Sequence, residues 1–369
     1  MRIAFSITDL SGGGAARVAA ALSNEWREMG HDVHLITFEG PGVAPFFEVH
    51  QGVHRHQLAA ARSRGGPLGF LVTNAYRVLR LRRLFRAIKP DLSISFLLEA
   101  NIASVIAARG LPFRTVVAER NHPGFHHVSL LKGGLRRVFY GWADTVCVQT
   151  REIGDWFSRQ LKMKTVVIPN PAPAVPAAPR QARRAAGRRL RIVGLGRLEP
   201  QKGFSRLIEA FSVVAPEHLD WDLVIFGEGA ERPALEAQLK RFGLRDRASL
   251  PGVTSRPHVE LRNADLFVHT ARYEGYPNAI LEAAAEGLCI VAMDSPGAAR
   301  EILEEGDCGV LVTDGDVEDL AARMWNLMIA PDARTAYGAR ARHRAAGLSV
   351  RVIAQRWIDL ATATPEAQA

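Results

Sequence analysis

Segments that favour strands alternate with segments that favour helices along the first half of the chain. Short apolar runs predict buried strands at 2–7, 31–38, 91–97, 114–119 and 145–150. Between them, apolar residues spaced three and four positions apart predict helices at 11–30, about 70–88, about 100–109 and near 132–141. Strands that alternate with helices in this way predict a parallel sheet with helices on both faces.

The same alternation starts again after a stretch rich in proline, alanine and arginine. Further strands are predicted at 191–198, 221–229, 248–252, 266–270 and 288–294. Further helices are predicted at 204–215, 232–244, about 277–286 and, after a basic stretch from Arg334 to Arg344, about 349–362. We therefore predict an α/β chain with an N-terminal domain over 1–172, a linker over 173–189 and a C-terminal domain over 190–348.

Composition narrows the class of protein. The 369 residues suffice for two ordinary domains, and 47% hydrophobic with 23% charged residues is typical of a soluble protein. Three cysteines without a CxxC pair, Cys147, Cys289 and Cys308, indicate a reducing compartment and no structural zinc. The start of the chain lacks the long apolar run of a signal peptide, and no run of 18 apolar residues occurs, so we expect a cytoplasmic protein.

A first glycine-rich turn, DLSGGGAAR at 9–17, joins a predicted strand to a predicted helix. Its glycines and the helix N-terminus suit a phosphate. The dinucleotide fingerprint G-x-G-x-x-G is incomplete, because Arg17 stands where the third glycine would follow Gly12 and Gly14. Glu39 could take the place of the acid that binds ribose. NAD binding and a tight turn without a ligand both remain open.

A second turn, GLGRLEPQKG at 194–203, carries two cations after a predicted strand. Arg197 and Lys202 at this edge of a parallel sheet suit a diphosphate, although a solvated surface pair fits the spacing equally well. Two further glycine turns, FGEG at 226–229 and LPGV at 250–253, also follow strands. Repeated turns of this kind line the ligand crevice of an open parallel sheet.

The segment EGYPNAILE places two carboxylates, Glu274 and Glu282, on either side of a predicted helix start. Pro277 suits the first turn of that helix. Glu282 lies among small and apolar residues, where a buried carboxylate needs polar partners such as sugar hydroxyls. Alternatively, Glu282 faces solvent or pairs within its helix.

Taken together, these motifs resemble the retaining glycosyltransferases of family 4, whose hallmark is the spacing of two glutamates in EGYPNAILE. The N-terminal segments SGGGAARVAAALSNEWREMGHDVHLITF and VVAERNHPG resemble the branch that extends lipid-linked oligosaccharides and exopolysaccharide repeat units, including N-acetylgalactosaminyltransferases. The resemblance spans nearly the whole chain. It implies the GT-B fold, in which two Rossmann-like doubly wound parallel-sheet domains face a central cleft, with the last helix packed back on the N-terminal domain.

The resemblance also implies roles for individual residues. Arg197 and Lys202 would hold the donor diphosphate, Glu274 the hydroxyls of the donor sugar, and Glu282 the ribose. The other implied donor contacts are Gly13, Gly14, Gly227, Val253, Gly275, Tyr276, Pro277 and Asn278. Many relatives have a histidine near the reacting centre after an N-terminal strand. Here the candidates for that place are Glu119, Arg120, Asn121 and His122.

The implied reaction transfers a hexose or N-acetylhexosamine, with retention, from a nucleotide sugar, preferably a UDP-sugar. No cofactor and no metal are expected. Retention suggests either a double displacement with Glu274 as nucleophile or departure and attack on one face of the sugar, and the sequence leaves both open. The implied acceptor is a polyprenyl diphosphate-linked or polysaccharide glycan, as in lipopolysaccharide or exopolysaccharide synthesis.

The net charge of +9 predicts an anionic partner. The stretch 73–90 would form a helix with apolar and basic faces, which suits peripheral attachment to the inner face of the cell membrane. Its cations are Arg77, Arg80, Arg82, Arg83, Arg86 and Lys89. An ordinary packed helix with solvated arginines is the alternative. The rival functions are a nucleotide-sugar epimerase, a phosphorylase and a nucleic-acid-binding protein. The basic residues of this chain are not interleaved with aromatic ones as in an RNA-binding surface, so no nucleic-acid partner is expected.

Overall fold

The computed structural model describes residues 1–58, 67–125, 128–175 and 189–362, with the backbone alone for 67–71. The chain divides into two compact units, which are described separately below. Unit 1 comprises Met1–Asn170 and Val350–Ala369, and unit 2 comprises Pro171–Ser349. Most of the predicted linker, 176–188, lies outside the described residues.

Unit 1 is built on a seven-stranded parallel sheet in the order β3-β2-β1-β4-β5-β6-β7. The strands are β1 (Arg2–Ile7), β2 (Asp32–Thr37), β3 (His54–Gln57), β4 (Leu92–Phe96), β5 (Arg114–Ala118), β6 (Thr145–Val148) and β7 (Val166–Val167). The helices are α1 (Gly13–Glu28), α2 (Pro67–Ile88), α3 (Leu98–Ala108), α4 (Leu130–Phe139), α5 (Arg151–Leu161) and, from the end of the chain, α13 (Val350–Thr362).

Aromatic side chains join α1 and α13 to the sheet of unit 1. The ring of Phe5 on β1 lies 5.5 Å from Trp26 on α1 and 4.7 Å from Phe96 on β4. Trp357 on α13 lies 5.6 Å from Phe96. Buried aromatic rings contribute large apolar areas to a core. In addition, the indole N–H of Trp26 donates to the carbonyl oxygen of Ala354 at 3.1 Å, so the last helix is an integral part of this unit.

Unit 2 is built on a six-stranded parallel sheet in the order β10-β9-β8-β11-β12-β13. The strands are β8 (Leu190–Leu195), β9 (Trp221–Phe226), β10 (Ala248–Gly252), β11 (Leu266–His269), β12 (Ile290–Asp294) and β13 (Val310–Thr313). The helices are α6 (Phe204–Val214), α7 (Arg232–Arg241), α8 (Pro257–Arg262), α9 (Asn278–Ala285), α10 (Ala299–Ile302), α11 (Val317–Met328) and α12 (Pro331–Ala346). The prediction of two doubly wound parallel sheets is therefore confirmed.

Several elements have no counterpart in the sequence-based prediction, and the pattern explains why. The basic stretch Arg334–Arg344 belongs to α12, whose buried positions are the small residues Gly338, Ala341 and Ala345. A helix that packs through small residues has no stripe of large apolar ones. Similarly, β3 has the sequence HRHQ, which contains no apolar residue. It lies at the edge of its sheet, where polar strands are common.

The strand order reverses once in each sheet. In unit 1, β1 lies between β2 and β4, and in unit 2, β8 lies between β9 and β11. The loops that follow these neighbouring strands turn to opposite sides of the sheet and leave a crevice at its carboxyl edge. Open parallel sheets bind their ligands there. In the described part of the chain, no helix has the length and apolar character needed to span a bilayer.

Candidate functional site

The loops after β8 and β11 meet at the carboxyl edge of the unit 2 sheet. The hydroxyl of Thr270 donates to the carbonyl oxygen of Lys202 at 3.0 Å. The Gln201 side-chain amide donates to the carbonyl oxygen of Tyr273 at 3.0 Å, and the N–H of Arg272 donates to the carbonyl oxygen of Gln201 at 2.8 Å. Three hydrogen bonds between the two loops fix their relative position.

These loops bring two of the predicted site residues together, although 72 positions separate them. The ammonium of Lys202 donates to Oε1 of Glu274. Both side chains are mostly buried, with 18% and 13% of their surfaces exposed. Water therefore screens this ion pair less than it screens a surface pair. The lysine side chain passes closely over Gly196, where an added Cβ atom would lie 3.3 Å from Cε of Lys202.

A buried histidine lies beside this ion pair. His269 ends β11 and is 5% exposed. Burial, and secondarily the positive charge of Lys202, lowers the pKa of His269 to about 3. Its Nε2 atom has no hydrogen-bond partner among the described residues. The imidazole is therefore neutral at physiological pH, and the positive charge at this position is carried by Lys202. Sequence reasoning missed this residue, because it reads as part of an apolar strand.

A third loop, after β12, supports the backbone of Glu274. The N–H of Glu274 donates to the carbonyl oxygen of Pro296 at 3.0 Å. Gly297 follows with φ of 129°, and a Cβ atom there would lie 2.3 Å from the carbonyl oxygen of Glu274. Only glycine fits such a backbone and such a close approach. No sequence motif singled out Gly297, since its partner lies in a different loop.

The second glutamate of the pair lies inside the fold. Glu282 is 7% exposed on α9, between the buried residues Leu281 and Ala283. The alternative that Glu282 faces solvent is therefore wrong. The residues that join the two glutamates form the start of α9, with Pro277 at the N-cap and Tyr276 7% exposed. Gly275 is buried as well, and Asn278 is the first residue of the helix.

The remaining predicted contacts of unit 2 differ in exposure. The side chain of Arg197 is 67% exposed and pairs with Glu199 at 2.8 Å, rather than with the ion pair of Lys202 and Glu274. Gly227 has φ of 149°, and a Cβ atom there would lie 1.8 Å from the carbonyl oxygen of Gly196, so the turns after β8 and β9 touch. Val253 is 66% exposed.

In unit 1, the first glycine turn leads directly into α1. Gly13 and Gly14 are exposed at the helix start, and the N-cap residue Gly12 provides no side-chain cap. The first N–H groups of a helix attract anions when no side chain caps them. Burial lowers the pKa of Arg17, which occupies the place of the third glycine in the dinucleotide fingerprint.

The four candidates after β5 point in different directions. Glu119, Arg120 and His122 are 6%, 7% and 5% exposed, whereas Asn121 is exposed. Arg120 donates to Oδ1 of Asn170, and its guanidinium lies 4.1 Å from the ring centroid of Phe96. Burial lowers the pKa of Arg120 to about 9. Arg120 therefore makes its contacts within the core of unit 1.

Both ring nitrogens of His122 also form hydrogen bonds within unit 1. The N–H of Gly124 donates to Nδ1 of His122 at 3.2 Å, so the ring proton resides on Nε2. That atom lies 3.2 Å from Oε1 of Glu152 and donates to it. Asn121 and Glu119 instead line a pocket of about 240 Å³ next to α4. Burial raises the pKa of Glu119, and its neighbour Arg136 opposes that shift.

The basic residues of α2 divide into two groups. Arg77 contacts Asn74 at 3.3 Å, and Arg80 contacts the carbonyl oxygen of Leu58 at 3.3 Å. Arg82 donates to the carbonyl oxygens of Ala107 and Arg109, both at 2.8 Å, and so caps α3. The second group, Arg83 and Arg86 together with Lys89 directly after the helix, is exposed. Arg83 and Arg86 continue a helix face that begins with the exposed apolar residues Val72, Tyr76 and Leu79.

Clustered carboxylates, histidines or cysteines would be needed to hold a metal ion. Within the described ranges, no group of three or more histidine, cysteine, aspartate or glutamate residues is arranged to hold a metal ion. The chain contains two Asp-x-Asp sequences, at 220–222 and 314–316. In the first, Asp222 pairs with Arg189 at 3.2 Å and with Arg247 at 3.3 Å.

The second Asp-x-Asp sequence has structural partners as well. Asp314 pairs with Arg206 at 2.8 Å, and Asp316 accepts from the N–H of Asp319 at 2.8 Å as the cap of α11. Both carboxylates therefore have structural partners.

Comparison with known proteins now identifies the class of enzyme. The family model described as "Glycosyl transferase 4-like domain" matches residues 13–171, and the model "Glycosyl transferases group 1" matches residues 178–344. The chain belongs to the glycosyltransferases that combine these two domains. The two parallel sheets described above are those of the GT-B fold.

Individual relatives are distant. An exopolysaccharide phosphotransferase of Streptomyces coelicolor is 29% identical over 291 residues, which is 77% of this chain but 30% of that protein. The Campylobacter jejuni N-acetylgalactosamine-N,N'-diacetylbacillosaminyl-diphospho-undecaprenol 4-alpha-N-acetylgalactosaminyltransferase is 24% identical and aligns over 93% of this chain and 94% of its own. The crystal structure of Anabaena HepE in complex with UDP matches with a TM-score of 0.77 over 98% of this chain and 100% of that one, at 20% identity.

Proposed function

We propose that this chain is a retaining glycosyltransferase of family 4 that moves a hexose or an N-acetylhexosamine from a UDP-sugar to a lipid-linked or polysaccharide glycan. In this proposal unit 2 binds the nucleotide sugar and unit 1 binds the acceptor. The observation that carries it is the contact between Lys202 and Glu274 at the carboxyl edge of the unit 2 sheet. The names of the Campylobacter and Streptomyces relatives support a role in the synthesis of cell-surface glycans.

Lys202 is the group that stabilises the leaving diphosphate. A lysine ammonium has three N–H donors, and one of them points at Glu274. Diphosphate oxygens would accept from the others as negative charge develops on the leaving group, and such stabilisation is usually the largest catalytic effect. Because His269 is neutral, it adds no charge of its own beside Lys202. Arg197, on the exposed side of the same loop, would provide the second cation.

Glu274 binds hydroxyl groups of the donor sugar in this proposal. A carboxylate that is already paired with an ammonium is a weak nucleophile, because its charge is partly neutralised. This argument favours departure and attack on one face of an oxocarbenium-like ion over a covalent glycosyl-enzyme. The donor phosphate would then take the acceptor proton.

The segment from Gly275 to Glu282, which is buried except for the half-buried Asn278 and Ala279, would form the rest of the donor site. Its backbone N–H groups lie at the start of α9, where a helix favours anions. Glu282, in the interior of α9, would accept hydrogen bonds from the ribose hydroxyls, and the base would lie near Gly227 and Val253. No cofactor or metal takes part in the proposed reaction, so a chelator should leave it unaffected.

The exposed face of α2 supports peripheral attachment to an anionic membrane. Apolar side chains in its first half and cations in its second half suit the boundary between acyl chains and headgroups. Three exposed cations, each contributing roughly 1 kcal/mol, would give reversible binding. In this proposal α2 would attach the enzyme to the inner surface of the cell membrane, where a lipid-linked acceptor would reside.

The roles of the two glutamates can be separated by mutation. Glu274→Gln should reduce sugar transfer by about two orders of magnitude or more, because it removes charge at the reacting centre. Glu282→Ala should mainly weaken nucleotide binding. The exposed carboxylate of Glu318 on α11 gives a matched control, and Glu318→Gln should behave as wild type. Transfer rates and UDP affinity should be measured for all three variants. If Glu274→Gln and Glu282→Ala both transfer sugar at the wild-type rate, the proposed site is wrong.

A further inference from the structure

The pocket of unit 1 lies beside the loops that follow β4 and β5 and the first turns of α4. Its volume is about 240 Å³, room for about eight water molecules at roughly 30 Å³ each, which is comparable with one pyranose ring. The polar side chains that line it are Glu99, Glu119, Asn121, Ser129, Lys132 and Arg136. None of the proposed donor contacts of unit 2 belongs to this pocket.

The charges that line the pocket are already paired. Lys132 lies 2.6 Å from Glu99, and Arg136 lies 3.5 Å from Glu119. The second pair is almost fully buried, with 8% and 7% of the two side chains exposed. Because each cation has its own carboxylate, a phosphate would have to compete with a carboxylate for every ammonium or guanidinium group. An uncharged ligand with hydroxyl groups can instead donate to the carboxylates and accept from the cations.

The buried ion pair is held rigidly. The guanidinium of Arg136 lies 5.1 Å from the ring centroid of Trp156, and the hydroxyl of Tyr140 donates to Oε2 of Glu119 at 3.3 Å. Rigid polar groups bind a ligand at a smaller entropic cost than mobile ones. Leu97, Pro123 and Val128 also line the pocket and provide apolar surface. A lining that combines carboxylates, cations and apolar side chains suits a sugar ring, which has hydroxyl edges and an apolar C–H face.

We infer that this pocket binds one neutral sugar ring of the acceptor glycan, and not the diphosphate of its lipid carrier. Asn121, Glu99 and Lys132, at the exposed side of the pocket, hydrogen-bond the hydroxyl groups of that ring. Glu119 and Arg136 form the buried floor and position the pocket lining. The inference rests on the proposed function, because it identifies the pocket as an acceptor site of a glycosyltransferase.

A cysteine placed in the pocket tests this inference. Ser129 lines the pocket, and the three native cysteines are buried, so Ser129→Cys introduces an accessible thiol. Alkylation of this cysteine with N-ethylmaleimide would fill part of the pocket. The alkylated and unalkylated forms of the same variant are compared, so the loss of the Ser129 helix cap affects both. Ser158→Cys, exposed on α5 and outside the pocket, is the matched control.

Binding is measured on the full chain by saturation-transfer NMR with methyl glycosides of glucose, galactose, N-acetylglucosamine and N-acetylgalactosamine, and separately with inorganic pyrophosphate. We expect at least one glycoside to bind Ser129→Cys and to lose affinity by about tenfold or more on alkylation. Glu99→Gln should weaken the binding of the same glycoside, and alkylation of Ser158→Cys should leave it unchanged. Pyrophosphate binding should not respond to alkylation of either cysteine.

Two kinds of result would overturn the inference. One is that the expected glycoside response is missing, either because no glycoside binds or because alkylation of Ser129→Cys leaves glycoside binding unchanged. The other is that alkylation removes pyrophosphate binding, which would assign the pocket to the diphosphate of the lipid carrier. Calorimetric binding of UDP to the same samples separates this inference from the proposed function. If UDP binds normally in either case, the pocket assignment alone fails; if UDP does not bind wild-type protein, the proposed function fails.

Discussion

The buried histidine beside Lys202 should make the stability of unit 2 sensitive to acid. His269 has a pKa of about 3 in the folded protein, because of burial, against 6.5 for an unperturbed histidine. Between these values the unfolded chain binds a proton at this position and the folded chain does not. Stability therefore rises with pH across this window, is complete above about pH 6.5, and falls as the pH decreases towards 3.

The size of the effect follows from the two pKa values. One pKa unit corresponds to about 1.4 kcal/mol. Lowering the pH from 7 to 5 should therefore reduce the free energy of unfolding of unit 2 by about 2 kcal/mol through His269 alone. Replacing the histidine with a residue that does not titrate, in His269→Gln, should remove this contribution. His258→Gln, at an exposed histidine of the same unit, should retain it.

Urea titrations at pH 7 and pH 5 measure this difference. Hydrogen exchange of peptides from β11 and β12 reports on unit 2 separately from unit 1. The comparison uses the change between the two pH values, so a constant loss of stability in His269→Gln does not affect it. If wild type and His269→Gln lose the same stability between pH 7 and pH 5, the histidine is not buried and neutral in the folded protein.

Two further predictions concern a loop and a surface. Gly297→Ala should destabilise unit 2 by about 1–3 kcal/mol and displace Glu274, because a Cβ atom there would lie 2.3 Å from the Glu274 carbonyl oxygen. Thermal unfolding measures the loss of stability, and sugar transfer measures the displacement of Glu274. Gly134→Ala is the control, because no atom lies within 4 Å of a Cβ atom added there. Unchanged transfer by Gly297→Ala would contradict the prediction. On α2, Arg83→Glu with Arg86→Glu should abolish flotation with liposomes that contain phosphatidylserine. The same change of charge in unit 2, Arg241→Glu with Arg245→Glu, should leave most of that binding intact; equal loss in both would attribute attachment to net charge and not to α2.

The alternation of apolar strands and amphipathic helices was sufficient to predict two parallel sheets. It was insufficient where an element lacks large apolar residues, as in α12 with its buried Gly338 and Ala341, or in the polar edge strand β3. Such elements form because neighbouring chain segments provide the packing surface, and a local pattern does not reveal that surface.

The same limit applies to the site. The spacing within EGYPNAILE predicts Glu274 as a site residue, and the glycine turn after β8 predicts Lys202. Their direct contact depends on the order of β8 and β11 in the sheet, which a local motif does not contain. Gly297 and His269 were missed for that reason, since each matters through a partner in a different loop. After β5, the sequence offered four equivalent polar residues, and only the fold distinguishes exposed Asn121 from buried Arg120 and His122.

Lys202 in unit 2 is proposed to bind the diphosphate of a nucleotide sugar. The most direct measurement is calorimetric titration of wild type and Lys202→Ala with UDP, GDP and NAD, in the presence of a chelator. This role of Lys202 predicts that UDP binds wild type, that Lys202→Ala reduces the affinity by about tenfold or more, and that NAD does not bind. Equal UDP affinity in both proteins, or binding of NAD alone, would contradict it.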